Sequence, residues 1–349
     1  MYLEFYVIFC YNLYVYREGF YLNILKSNKG GFLKVLGILF IVIIVLVLIA
    51  LGSGYAIITS KLNNMDYINI DESAITVNQD VGEHLDGYRN IALFGVDSRD
   101  NSFDNARSDA IIIVSINEKT NDVKLTSVYR DTYVDIDGHG LDKITHAYAY
   151  GGPELAISTL NKNLDLNITE FVTVNFETVQ TVVDALGGIE LTITDAEAGQ
   201  IGFSSGGTYT LDGEEALAYS RIRKIDSDYQ RTERIRTVLD AVFEKVKTME
   251  ISEILNLVDV VLPLISTNIS SNQIIAMLPS APFYNISDSI GWPYDVEGIS
   301  LDAWYAVPVT LEDNVTELHK ELFEESDYTP SSTVQEISDD IVSRTGYDS

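Results

Sequence analysis

Three short runs rich in aliphatic and β-branched residues, NIALFGV (90–96), AIIIVSI (110–116) and VKLTSV (123–128), do most to limit what this chain can fold into. Runs of this length bounded by polar turn residues read as β-strands, and only the turn-like NEKTND separates the last two. Consecutive strands tend to be neighbours, and strands joined by a short turn pair antiparallel. In that arrangement the end of the first run, the start of the second and the end of the third meet at one edge of a sheet. Asp97, Arg107, Asp109, Arg130 and Asp131 would then lie together, although no short motif groups residues so far apart.

Beyond these runs, helical and strand patterns alternate. Pro153 opens a helical segment with Leu155, Ile157, Leu160 and Leu164 on its apolar positions. EFVTVNF (170–176) reads as a strand, FETVQTVVDALGG (176–188) as a helix ended by glycines, and IELTI (189–193) as a strand. LDGEEALAYSR (211–221) is a short helix with Asp212 as its N-cap. A long amphipathic helix is expected over 228–247, with Ile235, Val238, Leu239, Val242 and Val246 at helical spacing. Further helices are expected at 251–262, 272–278 and 311–323, and the region 284–310, with Trp292 and Trp304, closes the domain. The pattern predicts an α/β fold, a layered α/β/α domain around a mixed central sheet, preceded by one transmembrane helix.

That helix is the run Val35–Ile58, 24 residues without a charge. At about 1.5 Å per residue it would cross a hydrocarbon core of about 30 Å. A cleavable signal peptide is the competing reading, with Gly52, Ser53 and Gly54 as small residues near a cleavage point. Lys26, Lys29 and Lys34 precede the span and Asp66, Asp71 and Glu72 follow it, which orients the N-terminus to the cytoplasm and the body outside. Residues 1–34 would be a cytoplasmic segment, of which 1–25 reads as an extension from a misassigned start codon. Residues 59–87 read as an extracytoplasmic stalk and 88–325 as the folded domain. Residues 324–349 hold seven acids and one arginine, so 326–349 is expected to be a disordered acidic tail. The only cysteine is Cys10, which leaves the body without a disulfide or a thiolate metal site.

Residues 61–349 carry 19 Lys plus Arg against 50 Asp plus Glu, a balance that argues against nucleic acid as a partner. Yet six of those cations, Arg221, Arg223, Lys224, Arg231, Arg234 and Arg236, fall in one short stretch. Guanidinium forks donate paired, charge-assisted hydrogen bonds to phosphate or carboxylate, so the cluster points to an anion. On charge alone, a solvated helix face paired with Asp226, Asp228 and Glu233 explains it equally well. Arg231 and Arg234 share a face near a helix N-terminus, where backbone N–H groups also favour an anion. Asp97 and Asp109 suit a hard divalent cation such as magnesium, held by carboxylates and substrate phosphate. Their structural alternative is loop capping or pairing with Arg107. Two acids, several arginines and a cation fit a diphosphate better than a carboxylate. Catalysis there would be charge neutralisation and positioning of a phosphoryl group. His84, His139, His146 and His319 lack zinc spacing and read as structural or exposed, and AYAYGG (147–152) reads as packing.

Several ordered segments resemble the LytR-CpsA-Psr family of Gram-positive cell-envelope proteins: NIALFGVDSRD (90–100), ARSDAIIIVSIN (106–117), TSVYRDTYVDI (126–136), DKITHAYAYGG (142–152), VDALGGIEL (183–191) and LDGEEALAYSRIRK with DYQRTERIR (211–236). The resemblance implies a membrane-anchored phosphotransferase that moves a glycopolymer, such as teichoic acid or capsular polysaccharide, from an undecaprenyl-diphosphate carrier to peptidoglycan. It implies magnesium on Asp97 and Asp109, and the diphosphate on Arg107, Arg130, Arg221, Arg223 and Arg231, with Arg234 supporting. Arg130 and Asp109 would carry the catalysis, and the prenyl chain would lie in an apolar tunnel between sheet and helices. Ile235 stands where the family commonly has Gln, a departure that alters hydrogen bonding on the helix and not its charge. A lipid-diphosphate hydrolase and a non-catalytic envelope regulator or lipid-binding module are the alternative readings.

Overall fold

The computed structural model describes residues 66–348, apart from 80, 97, 99–102, 104–105, 223–224, 226–233, 235–236, 239–240, 243–244, 246–248, 250 and 278–284. The uncharged run 35–58, Asp97, Arg223 and Arg231 therefore lie outside the described residues, as does most of the expected helix over 228–247. Among the described residues no helix is long and apolar enough to cross a membrane.

A seven-stranded mixed sheet organises the body. Across it run β1 (Asp66–Tyr67), β10 (Ser266–Thr267), β7 (Glu170–Asn175), β2 (Tyr88–Val96), β3 (Ser108–Asn117), β4 (Asp122–Val128) and β11 (Asn285–Trp292). The three runs that dominate the sequence are β2, β3 and β4, and they pair antiparallel in order, with Val96 opposite Ser108 and Ile111 opposite Val128. β7 joins β2 in parallel, with Val96 opposite Asn175.

Successive strand residues face opposite sides, and both sides are covered. Leu93, Ile112, Leu125 and Val172 face one core, built with Val182 and Val183 of α3 (Phe176–Ala185), Ala216 of α5 (Gly213–Ser220), Leu257 of α6 (Ile251–Val261) and Ile274 of α7 (Ser271–Met277). Phe94, Ile111, Ile113 and Phe171 face the other, built with Val81 of α1 (Val81–His84), Ile157 and Leu160 of α2 (Ile144–Leu164) and Leu318 of α8 (Leu311–Phe323). A strand buried on both faces reads as an unbroken apolar run, which is why AIIIVSI shows no alternation.

Local signals hold where the chemistry is backbone chemistry. Asp212 caps α5 through the Glu215 N–H, and Glu215 reaches back to the Asp212 N–H, a reciprocal capping box. Gly213 is pressed on α3: a Cβ there would come within 2.3 Å of the Gln180 carbonyl oxygen, so only glycine fits. α2 begins earlier than Pro153 suggests. It starts at Ile144, breaks at Gly151 and Gly152, and resumes at the proline, with Gly152 at φ 63°, ψ −158°, a conformation that glycine alone adopts at low cost.

IELTI forms β8 (Ile189–Ile193), the strand its pattern predicts, and among the described residues it pairs with β9 (Gly207–Leu211) in a hairpin separate from the central sheet. Its strict buried–exposed alternation marks a strand covered on one face only. The expected stalk is part of the domain where it is described: β1 pairs with β10, and Ile70, Ile75, Val81 and Leu85 are buried in the α2-side core. The acidic tail is likewise ordered. Ser332–Thr345 form α9, capped by Ser331, and Val334, Ile337 and Ile341 supply one buried stripe. Few apolar residues suffice when all of them fall on one helical face.

Asp165 ties that C-terminal segment to the rest. It is fully buried at the end of α2 and accepts hydrogen bonds from Asn78 Nδ2 (2.6 Å), Tyr328 Oη (2.9 Å), Ser331 N (2.7 Å) and Ser331 Oγ (2.7 Å). His319, also fully buried, stacks on Tyr328 with ring centroids 3.6 Å apart and holds the Leu164 carbonyl oxygen. Burial pushes its imidazole below the ordinary range, which favours the neutral ring. Asp165→Asn replaces an acceptor of four bonds with a side chain that is half donor. The expected loss is about 2–4 kcal/mol of unfolding free energy, read by urea titration, with proteolysis of residues 326–348 rising in parallel.

Candidate functional site

The antiparallel register brings the end of β4 to the start of β3, and the first consequence is an ion pair: Arg130 Nη1 donates to Asp109 Oδ1 at 2.6 Å. The segment that carries Arg130 is held from several directions. Tyr129 N donates to the Trp292 carbonyl oxygen (3.0 Å), and Thr132 Oγ1 turns back to the Tyr129 carbonyl (2.6 Å). Thr145 N, in the first turn of α2, donates to the Arg130 carbonyl (3.1 Å). Ala306 N, from β13 (Trp304–Pro308) in the hairpin with β12 (Val296–Ser300), donates to the Asp131 carbonyl (2.9 Å). An arginine anchored at its own backbone by sheet, helix and hairpin is preorganised, so little ordering remains when it binds.

Charges alternate around it. Asp131 Oδ1 accepts from Lys143 Nζ at 2.7 Å, and its Oδ2 lies 3.7 Å from Arg130 Nε, too long for a hydrogen bond. Arg130 Nε is buried and has no hydrogen-bond acceptor among the described residues. An orphaned buried guanidinium N–H costs about 1–3 kcal/mol, a cost that no acceptor among the described residues offsets. Thr145 Oγ1 donates to the Ser108 carbonyl (3.0 Å), which locks the start of β3, and with it Asp109, to α2.

Of the other residues expected at this site, Arg107 is exposed immediately before β3. Arg221 is exposed at the C-terminal end of α5, its N–H on the Ala218 carbonyl. Asp97, Arg223 and Arg231 lie outside the described residues. Arg234 is the one whose role changes. It is 3% exposed and helical, its Nε donates to Glu197 Oε1 (2.8 Å), and its Nη1 donates to the Ile222 carbonyl (3.0 Å). Burial opposes ionisation of Glu197, but the bonds from Thr194 and Arg234 outweigh it and hold its carboxyl below the usual range. Arg234 thus acts inside the protein, joining α4 (Asp195–Ile201) to the segment after α5, and is not presented to a ligand.

The structure adds a constellation that spacing alone left as packing. Asp142 Oδ2 accepts from Tyr150 Oη at 2.7 Å and lies 2.9 Å from His146 Nδ1, while His139 stacks on Tyr150 with centroids 4.0 Å apart at 7°. Burial works against the Asp142 carboxylate, yet His146, Tyr150 and the Lys143 N–H together hold it below the ordinary range. The i, i+4 spacing of Asp142 and His146 was the available signal.

Comparison with known proteins settles the kinship. The LytR_cpsA_psr family matches residues 54–291. The chain belongs to this family. It is 34% identical over 272 residues to the Bacillus subtilis polyisoprenyl-teichoic acid–peptidoglycan teichoic acid transferase TagT, covering 72% of this chain and 84% of that one. The solved structure of TagT bound to LIIa-WTA aligns with a TM-score of 0.54 at 32% identity, over 70% of this chain and 93% of that chain. The structure of the family member YwtF (TagT) with bound octaprenyl pyrophosphate lipid aligns with a TM-score of 0.50 at 30% identity, over 69% and 92%. The motifs that carry the likeness run from β2 through α5 and onward to Arg236, so family membership and the Asp109–Arg130 pairing coincide in the chain.

Arg234→Ala strands Glu197 and the Ile222 carbonyl together. The expected cost is about 3–5 kcal/mol by urea unfolding, as for one partner lost from a buried pair. Arg221→Ala, at an exposed position, changes stability by less than about 1 kcal/mol in the same measurement.

Proposed function

We propose that this protein is a membrane-anchored phosphotransferase, working outside the cell, that moves a teichoic-acid-type glycopolymer from a polyprenyl-diphosphate carrier to peptidoglycan. The observation that carries the reading is the backbone-anchored Arg130, paired with Asp109 through Nη1 while its Nε has no acceptor among the described residues, in a family whose named relatives are teichoic acid transferases. The bound octaprenyl pyrophosphate of YwtF supports a polyprenyl diphosphate as the ligand class. The uncharged run Val35–Ile58, with Lys26, Lys29 and Lys34 before it, supports a single-pass anchor with the N-terminus in the cytoplasm.

In this reading Arg130 meets the diphosphate at the phosphoryl group being transferred, and its fixed position means its charge need not reorganise as the leaving oxygen gains charge. Arg107, Arg221, Arg223 and Arg231 share the remaining phosphate oxygens. Asp97 and Asp109 would hold magnesium, whose donors of choice are carboxylate oxygens such as Asp109 offers at the rim of β3. When bound, the ion neutralises diphosphate charge. Asp109 also holds the Arg130 fork in place, so one carboxylate serves both duties. Arg234 supports the cluster by positioning the chain after α5.

Purified extracytoplasmic protein, supplied with lipid-linked polymer with and without peptidoglycan, tests the reading. Transfer should require the acceptor; release of polymer without it would favour a hydrolase. Arg130→Lys keeps a charge beside Asp109 but loses the fork, and should lower transfer by about 10²–10³-fold at an unchanged melting temperature. Arg221→Ala should also lose transfer while remaining folded. Full activity in both variants would refute the assignments, and a functional Asp109→Ala protein in cells would favour a passive lipid binder.

A further inference from the structure

A phosphotransferase of this kind must also activate its acceptor hydroxyl, and the groups around Arg130 are poorly suited to do so. Asp109 is held by Arg130, and Asp131 by Lys143 with Arg130 nearby. Each carboxylate is thus already engaged by a cation. His146 is placed differently. Its Nδ1 lies 2.9 Å from Asp142 Oδ2, and a carboxylate at that position favours the tautomer with the proton on Nδ1 and the lone pair on Nε2. Nε2 makes no hydrogen bond among the described residues, and the side chain is 26% exposed, enough to meet a substrate.

The scaffold that fixes His146 is the scaffold that fixes the anion site. His146 follows Thr145, whose N–H holds the Arg130 carbonyl and whose hydroxyl holds the Ser108 carbonyl next to Asp109. Lys143, between Asp142 and the first turn of α2, reaches Asp131. The tyrosine and histidine on its other side brace the carboxylate: Tyr150 shares Asp142 Oδ2, and His139 stacks on Tyr150. We propose that His146, oriented by Asp142, is the general base that accepts the proton of the acceptor hydroxyl, an assignment that rests on the transferase reading above.

The step balances without a further reagent. The acceptor oxygen bonds to the phosphorus that carries the glycopolymer as its proton passes to His146 Nε2. The bond from that phosphorus to the bridging oxygen breaks, and its electron pair leaves on polyprenyl monophosphate. His146 then returns the proton to solvent. A neutral imidazole with its Nε2 lone pair unengaged is a chemically competent acceptor of that proton. The titratable groups in contact with it are Asp142 from β6 (Gly140–Lys143) and Tyr150 from α2. Behind them, His139, from the turn between β5 (Tyr133–Ile136) and β6, stacks on Tyr150; Lys143 reaches Asp131 and lies over the Tyr305 ring, and Tyr305 donates to Asp302.

The test is the pH profile of transfer in wild type, His146→Gln, His146→Ala and Asp142→Asn, with melting temperature as the check on folding. Wild-type kcat should rise along an acid limb. His146→Gln should lower kcat by about 10²-fold or more, remove that limb, and leave KM for the lipid-linked substrate within about 2-fold. Added imidazole should restore part of the His146→Ala rate. Asp142→Asn removes the negative partner that favours the imidazolium, so its limb should move to lower pH. A His146→Gln enzyme with the wild-type limb and kcat within about 3-fold overturns the assignment while leaving the transferase reading intact. A wild-type protein that only hydrolyses its lipid substrate overturns both, and a rise in KM alone would make His146 a binding contact and not a base.

Discussion

Two-sided burial of β2, β3 and β4 governs where this protein can carry polar chemistry. Their side chains alternate between two apolar cores, one closed by α3, α5 and α6 and the other by α2, α8 and α9. A charged group along these strands would enter one core or the other, at a cost of several kcal/mol. Chemistry is therefore pushed to the strand ends. The antiparallel register then decides which ends coincide, and it unites the start of β3 with the end of β4. Asp109 and Arg130 meet because of that register and not because of their spacing in the chain.

The same sheet end is where α2 and the β12–β13 hairpin deliver backbone donors to the Arg130 segment. These contacts supply rigidity at the point where charge would develop during phosphoryl transfer. The Asp142–His146–Tyr150 cluster is next to them in the chain, since Thr145, which bonds the Arg130 and Ser108 carbonyls, immediately precedes His146. An oxyanion-stabilising arginine and an acceptor-activating histidine on one braced unit would keep a fixed mutual geometry, as in-line displacement requires.

The arginine-rich stretch divides by burial. Its charge alone treats Arg221 and Arg234 alike, yet Arg221 stays exposed at a helix end while Arg234 is engaged by Glu197 and the Ile222 carbonyl. The difference lies in the partner: Glu197 is the third residue of a capping box on α4, fixed by Thr194 before Arg234 arrives. The C-terminal segment departs from its composition for a related reason. Its residue content is that of a solvated chain, but the buried carboxylate of Asp165, 163 residues from Tyr328 and 166 from Ser331 along the sequence, holds it in place.

By itself the sequence determined the strands β2 to β4 and β7, the helices α5, α6, α7 and α8, the gathering of Asp109 with Arg130, and the family motifs. Each of these depends on periodicity, capping or turn chemistry, which act within a few residues or follow from the order of neighbouring strands. Only the tertiary structure decided that β8 leaves the central sheet, that residues 66–87 and 326–348 belong to the domain, that Arg234 is structural, and that His146 sits on Asp142 beside the Arg130 segment. Those outcomes depend on which side chain from a distant segment arrives to satisfy a buried group, and local sequence carries no record of that partner.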